Sequence, residues 1–148
     1  MSLDGASGEG VTERRIDGFF YGLFMDSHVL HENNVSPVMP RRAYVDGYAL
    51  RIGQRATLIP AAGARAYGMV FSLTHQELDQ LYAAPGLDQY RAEAVLAHSL
   101  ASGEALPALC YNLHETPAAN EANPVYAASL RQALSRLDFP AEYVASVS

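Results

Sequence analysis

Residues 16–24 read IDGFFYGLF, and residues 81–91 read LYAAPGLDQYR. In the first stretch, residues 16–21 are largely apolar and aromatic and stop at Gly22. A short apolar run closed by glycine reads as a buried strand entering a tight loop. The second stretch is the exit from a helix. Thr74 and Glu77 stand at capping-box spacing, and Leu73 with Leu78 fits a hydrophobic staple. Leu78, Leu81 and Tyr82 then line one face, and Pro85 before Gly86 requires the helix to have stopped.

Outward from these two stretches the chain is mostly strand. YGMVFSL (67–73) is a strong strand candidate leading into the capped helix. Residues 44–52 carry Tyr48, Leu50 and Ile52 at period two, which predicts another strand, and 56–59 is a further short extended stretch. Residues 26–32 predict a short helix capped by Asp26 or Ser27, and NNVSPVMP (33–40) a loop. Residues 89–98 and 105–113 flank the turn sequence ASGE and read as a hairpin. A polar loop, 114–123, leads to a helix that Asn123 caps, with Pro124 in its first turn. Leu130, Leu134 and Leu137 form its apolar stripe, Phe139 and Pro140 end it, and a short tail helix follows. This order suggests an α+β domain, although periodicity alone does not close a barrel. The expected organisation is a flexible tail, 1–13, and a single domain, 14–148.

Bulk properties exclude several classes. A net charge of −6 argues against nucleic-acid binding, which needs clustered cations. The ten cationic residues are all arginines, and the absence of lysine excludes Schiff-base catalysis and a phosphate-binding Walker loop. Cys110 is the only cysteine, so neither an internal disulfide nor a multi-cysteine metal site can form. No run is long enough to span a membrane, and MSLDGASGEG lacks the apolar core of a signal peptide. A soluble, cytoplasmic protein with no membrane partner is the expectation.

Taken in order, FFYGLFMDSHVL (19–30), DGYAL (46–50), ATLIPAAG (56–63), YGMVFSL, LTHQELDQLYAAPGLDQYR (73–91), ALCYNL (108–113) and NPVYAASLRQALSRLDFPAEYVASV (123–147) resemble successive segments of the gamma-glutamylcyclotransferase-like superfamily, including its AIG2-like branch. The resemblance covers nearly the whole chain. It implies a small mixed β-barrel with flanking helices and a ligand cavity at its mouth. It further implies an intramolecular reaction. The α-amine of a gamma-glutamyl compound attacks its own γ-carbonyl, releasing 5-oxoproline and an amine. The loop after the first strand binds the glutamyl carboxylate through backbone N–H groups, and a Glu moves the proton. Holding the glutamyl group bent supplies much of the acceleration, while the base is needed because a protonated amine is no nucleophile.

Matched residue by residue, Tyr21, Gly22, Leu23 and Phe24 fall on the binding loop. Leu23 and Phe24 replace its usual polar or small pair, so a more apolar mouth is expected. The same four residues also read as a plain strand-to-helix turn. Tyr111 and Tyr126 match tyrosines near the cavity and are candidate ligand contacts, or else amphipathic core tyrosines. Tyr90 and Arg91 match the tail of the acid/base segment. The Glu position itself holds Pro85, which can neither accept nor donate a proton. Asp88 and Glu93 are the remaining candidate acids, each also readable as a solvated carboxylate, and Asp79 belongs on the polar face of its helix.

No metal or cofactor is implied. His28 and His31 share a helix face but lack a third ligand. Cys110 and His114, on one strand, would stand ~13 Å apart at ~3.3 Å per residue, too far for a nucleophile and its base. The expected function is a cavity for a gamma-glutamyl-type or related small amide ligand, with weak or absent cyclotransferase activity. Two alternatives stay open: an active cyclotransferase or amine/amide transferase using Asp88 or Glu93, and a non-catalytic homodimeric interaction module.

Overall fold

In the computed structural model, which describes residues 14–148, the chain opens with β1 (Arg15–Phe20), a single 3₁₀ turn (Leu23–Met25) and α1 (Ser27–Glu32). It continues through β2 (Val38–Ile52), β3 (Ala56–Thr74), α2 (His75–Tyr82), β4 (Tyr90–Ser99) and β5 (Ala105–Leu113), and ends in α3 (Pro124–Arg136) and α4 (Ala141–Ser146). The expected tail, 1–13, lies outside the described residues. The five strands close into a barrel in the order β1-β3-β2-β4-β5. All pairings are antiparallel except β1 with β5, which run parallel where Gly18 faces Leu109. This is the mixed barrel with flanking helices that the resemblance implies.

The β2–β3 hairpin is longer than local sequence suggests. The stretches 56–59 and 67–73 are one strand of 19 residues, and β2 begins at Val38, inside the expected loop. The proline and glycine residues that read as breaks sit at two irregularities instead. One separates Val38 from Arg41, where Met39 adopts φ 54°; in the other, residues 61–64 stand opposite Gly47 alone. Bulges let a strand bend sharply without ending, which a small barrel needs at its corners.

The core lies inside the barrel and beneath the helices. Along β5, Leu106, Ala108, Cys110 and Asn112 are buried while their neighbours are less so. On β3, Met69, Val70, Phe71 and Leu73 are all buried, as expected for a strand covered on both faces. Helix ends follow their sequence signals. Thr74 Oγ1 accepts from the Glu77 N–H at 3.0 Å, and Glu77 Oε1 accepts from the Thr74 N–H at 2.9 Å, completing the capping box. Glu77 Oε2 also accepts from the Ser36 N–H at 2.8 Å, anchoring the segment before β2. Among the described residues, no helix is long and apolar enough to cross a membrane.

Gly68 sits where β3 crosses the end of β1. A Cβ there would lie well inside van der Waals distance of the Phe20 carbonyl oxygen and 3.0 Å from the Phe19 ring. Gly68→Ala is therefore expected to destabilise the domain by about 1–3 kcal/mol, seen as a lower urea midpoint at unchanged slope.

Candidate functional site

As β1 ends, Phe19 and Phe20 lead into Tyr21, Gly22, Leu23 and Phe24, and these six residues line one wall of a cavity of ≈ 330 Å³. That volume is at the small end of the range for small-molecule sites. α1 adds Val29 and α3 adds Tyr126. The turn between β2 and β3 contributes Gln54 and Arg55 and the start of β3 adds Ala56, while Tyr82, Leu87 and Tyr90 close the side formed by the end of α2 and the start of β4.

Each wall is held by hydrogen bonds that span the sequence. The Tyr126 hydroxyl accepts from the Leu23 N–H at 3.1 Å, so α3 holds the first turn of the loop. The Tyr21 hydroxyl donates to the Tyr111 carbonyl oxygen at 2.7 Å, and the Tyr90 hydroxyl donates to the Ala56 carbonyl oxygen at 2.6 Å. The rings pack on one another as well. Tyr82 stacks on Tyr111 at 3.9 Å between centroids and meets Phe24 edge-on at 6.0 Å.

A second set of bonds clamps the β2–β3 turn. The Glu121 carboxylate accepts from the Gln54 N–H and, through its other oxygen, from the Ala118 N–H, both at 3.1 Å. Asn123 Nδ2 donates to the Gln54 carbonyl oxygen at 3.1 Å. Arg51 donates to the Ala118 and Glu121 carbonyl oxygens. Arg55 therefore projects from a turn whose backbone is fixed. Its Nη2 lies 2.8 Å from where a Cβ on Gly86 would stand, so the guanidinium lies against the turn beside Pro85.

The chemistry of the lining is narrow. Among the described residues, Arg55 is the one charged side chain that lines the cavity, and no carboxylate or imidazole does. Burial pushes the Tyr21 and Tyr82 phenols well above their ordinary range and Tyr90 to about 12. The Tyr126 phenol is also raised by burial. All four are neutral hydrogen-bonding groups near neutral pH. Cys110 is fully buried; burial first, and Glu93 second, raise its thiol to about 12, which leaves no thiolate for chemistry.

Of the residues singled out in the sequence, the fold gathers Tyr21, Gly22, Leu23, Phe24 and Tyr126 around the cavity. Tyr111 is not among the lining residues. The alternation of β5 turns Cys110 and Asn112 inward and Tyr111 the other way, onto Tyr82. Pro85 and Asp88 are exposed in the segment after α2 and do not line the cavity. Glu93 is likewise outside it. It faces Cys110 across the β4–β5 ladder and accepts from Asn112 Nδ2 at 2.5 Å. Sequence inspection missed Gln54, Arg55 and Ala56, because the closing of the barrel and the clamp from Glu121 and Asn123 are what hold the tip of the β2–β3 hairpin beside the cavity. It also took Tyr82 for part of a helix's apolar face.

A Cβ on Gly22 would collide with the Tyr126 hydroxyl, whereas the ring carbon bearing that hydroxyl is 3.7 Å away, at ordinary contact distance. Gly22→Ala is expected to destabilise the wild type by about 1–3 kcal/mol but to be nearly neutral beside Tyr126→Phe, a coupling that a double-mutant cycle in urea measures. The Glu121 carboxyl is held below its ordinary value of 4.5, first by the Gln54 N–H and next by the Ala118 N–H. A depressed folded pKa means stabilisation that is complete above the ordinary value and lost as pH falls through the depressed one. Thermal melts from pH 6 downward should show a steeper acid loss for wild type than for Glu121→Gln.

The sequence model described as gamma-glutamyl cyclotransferase, AIG2-like, matches residues 18–131. No curated protein sequence matches the chain. Among solved structures, an uncharacterized protein from Homo sapiens is similar with a TM-score of 0.76 and 18% identity, over 92% of this chain and 89% of that one. A gamma-glutamyl cyclotransferase gives a TM-score of 0.76 and 17% identity, over 91% of this chain and 89% of that one. YkqA from Bacillus subtilis gives 0.72 and 20% identity over 93% of this chain but 55% of its own. At such identities these likenesses establish the fold alone.

Proposed function

The chain belongs to the gamma-glutamyl cyclotransferase, AIG2-like family, and on that premise we propose that it binds a gamma-glutamyl-type or related small amide ligand in the cavity beside Tyr21 and Gly22, with little or no cyclotransferase activity. The observation that carries this is the lining itself. The cavity borders the loop that matches the family's binding segment, yet no carboxylate reaches it among the described residues. Cyclisation requires a group that takes a proton from the substrate's α-ammonium. Pro85 cannot, and the phenols and thiol nearby are raised by burial, which leaves them neutral. Loss of a general base typically costs about 100- to 10,000-fold in rate. What remains is a preorganised, aromatic-walled receptacle suited to holding a small molecule, as a sensor or a carrier would. A single cysteine, buried in the core, fits a reducing compartment such as the cytoplasm.

An active enzyme using Asp88 or Glu93 has less support, since neither acid lines the cavity. The test is direct. Purified protein incubated with gamma-glutamyl dipeptides and gamma-glutamyl amines is expected to release 5-oxoproline at the background rate. In NMR titrations, 5-oxoproline or a gamma-glutamyl amide is expected to shift the backbone amides of residues 22–24 saturably. Steady turnover by the wild type would overturn the loss of catalysis. A complete absence of amide shifts across the panel would overturn ligand binding.

A further inference from the structure

We infer that Arg55 makes this cavity selective for a carboxylate-bearing amide that has no free α-amine, a des-amino analogue of a gamma-glutamyl compound. The inference rests on the proposal above that the cavity holds a ligand, and it names the class of that ligand.

Three observations converge on it. The walls are aromatic and aliphatic, from Phe19, Phe20 and Phe24 on one side to Leu87 on the other. A charge brought into such surroundings is unfavourable unless an opposite charge or several hydrogen bonds receive it. Secondly, the charge present is positive. Among the described residues, Arg55 is the sole charged lining side chain, and no hydrogen bond or ion pair with another side chain occupies its guanidinium. A guanidinium offers a forked pair of donors that fits a carboxylate. Thirdly, the group that would receive an ammonium is missing. Where the resemblance places a Glu, the chain has Pro85, and Arg55 lies against the adjacent Gly86. At the position where the resemblance places a Glu the chain thus carries no anion, and a cation stands beside it. An α-ammonium there would meet a like charge and no counter-charge, while a carboxylate would meet its complement.

This also accounts for the absent base without invoking decay. A ligand without an α-amine has no nucleophile for the ring closure, so a proton acceptor would have nothing to do. The chain's net charge of −6 repels anions at long range, so anion preference has to come from a local cation.

A matched set of probes isolates the effect: glutaranilic acid, L-gamma-glutamyl anilide and N-phenylglutaramide. The second adds only the α-ammonium to the first, and the third replaces the carboxylate of the first by a neutral amide. Calorimetric titration, with amide shifts at residues 22–24 to locate binding, is expected to rank glutaranilic acid at least about tenfold tighter than either of the others. Arg55→Gln should weaken glutaranilic acid by about tenfold and leave N-phenylglutaramide unchanged. Arg55→Lys should recover part of the loss. Because Arg55 is exposed and the turn is held through its backbone, an unchanged amide spectrum elsewhere should show that the variants fold. Raising the salt concentration should weaken the acid selectively.

If all three probes bind alike and Arg55→Gln changes nothing, selectivity falls while the ligand cavity stands. Tighter binding of L-gamma-glutamyl anilide would likewise overturn the selectivity alone. If none of the probes, nor 5-oxoproline, shifts the cavity amides, both proposals fall together.

Discussion

The arrangement at the cavity depends on β1 being paired along both edges. One edge is zipped antiparallel to β3 from Arg15 opposite Thr74 to Phe20 opposite Met69, and the other meets β5 in parallel at Gly18 and Leu109. A strand held on both sides cannot slide by one residue without turning every side chain to the opposite face. The point at which the chain leaves the barrel, just after Phe20, is therefore set by the ladder rather than by the loop. Gly68 lets the two strands approach closely enough for that ladder to form at its last rung. The segment from Tyr21 to Phe24 consequently emerges over the barrel mouth with little freedom of its own.

From that fixed origin the polar groups of the wall are satisfied in a consistent way. Tyr21, Tyr90 and Tyr126 each use the hydroxyl to meet a backbone group from a distant part of the chain, and each presents its ring to the cavity. Tying off the hydroxyl in this manner leaves a mostly aromatic surface without stranded polar atoms, since an unpaired buried hydroxyl is costly. It also means that these tyrosines serve mainly as walls. Polarity toward a ligand is concentrated in Arg55 and Gln54, both delivered by a single turn.

What the sequence disclosed and withheld follows from the range of the interactions. Helix boundaries were legible because Thr74 with Glu77, Asp26, and Asn123 with Pro124 act within a few residues of themselves. The β4–β5 hairpin was legible for the same reason. The continuity of β3 across Pro60 and Gly63 was not, because residues 61–64 remain in the strand only through the bulge opposite Gly47 on β2. The site divides along the same line. Residues 21–24 and Tyr126, which line the cavity, were singled out through an ordered set of short motifs. Arg55, a lone cation in a polar turn, carries no local mark of its position, which arises from two strands pairing and a loop about sixty residues later clamping the turn. For Tyr111 both readings stayed open, because a motif match conveys residue type but not which face of a strand the side chain takes; its ring packs on Tyr82.

Asn123 accepts from the Tyr126 N–H with its side-chain oxygen and donates to the Gln54 carbonyl with its side-chain nitrogen. One amide thereby joins the helix behind the Leu23 wall to the turn behind the Arg55 wall, like a pin through two leaves of a hinge. Those two sides of the mouth cannot part without breaking the bond from Asn123 to the Gln54 carbonyl. The opposite side is tied differently: the backbone bonds of residues 84–87 stay within their own short turn, from the Leu87 N–H to the Ala84 carbonyl and the Tyr90 N–H to the Leu87 carbonyl, and its link to β3 is the Tyr90 hydroxyl on the Ala56 carbonyl. The fold thus fastens the two sides of the mouth by different means, one through a side-chain amide and a carboxylate, the other through the Tyr90 hydroxyl on the Ala56 carbonyl.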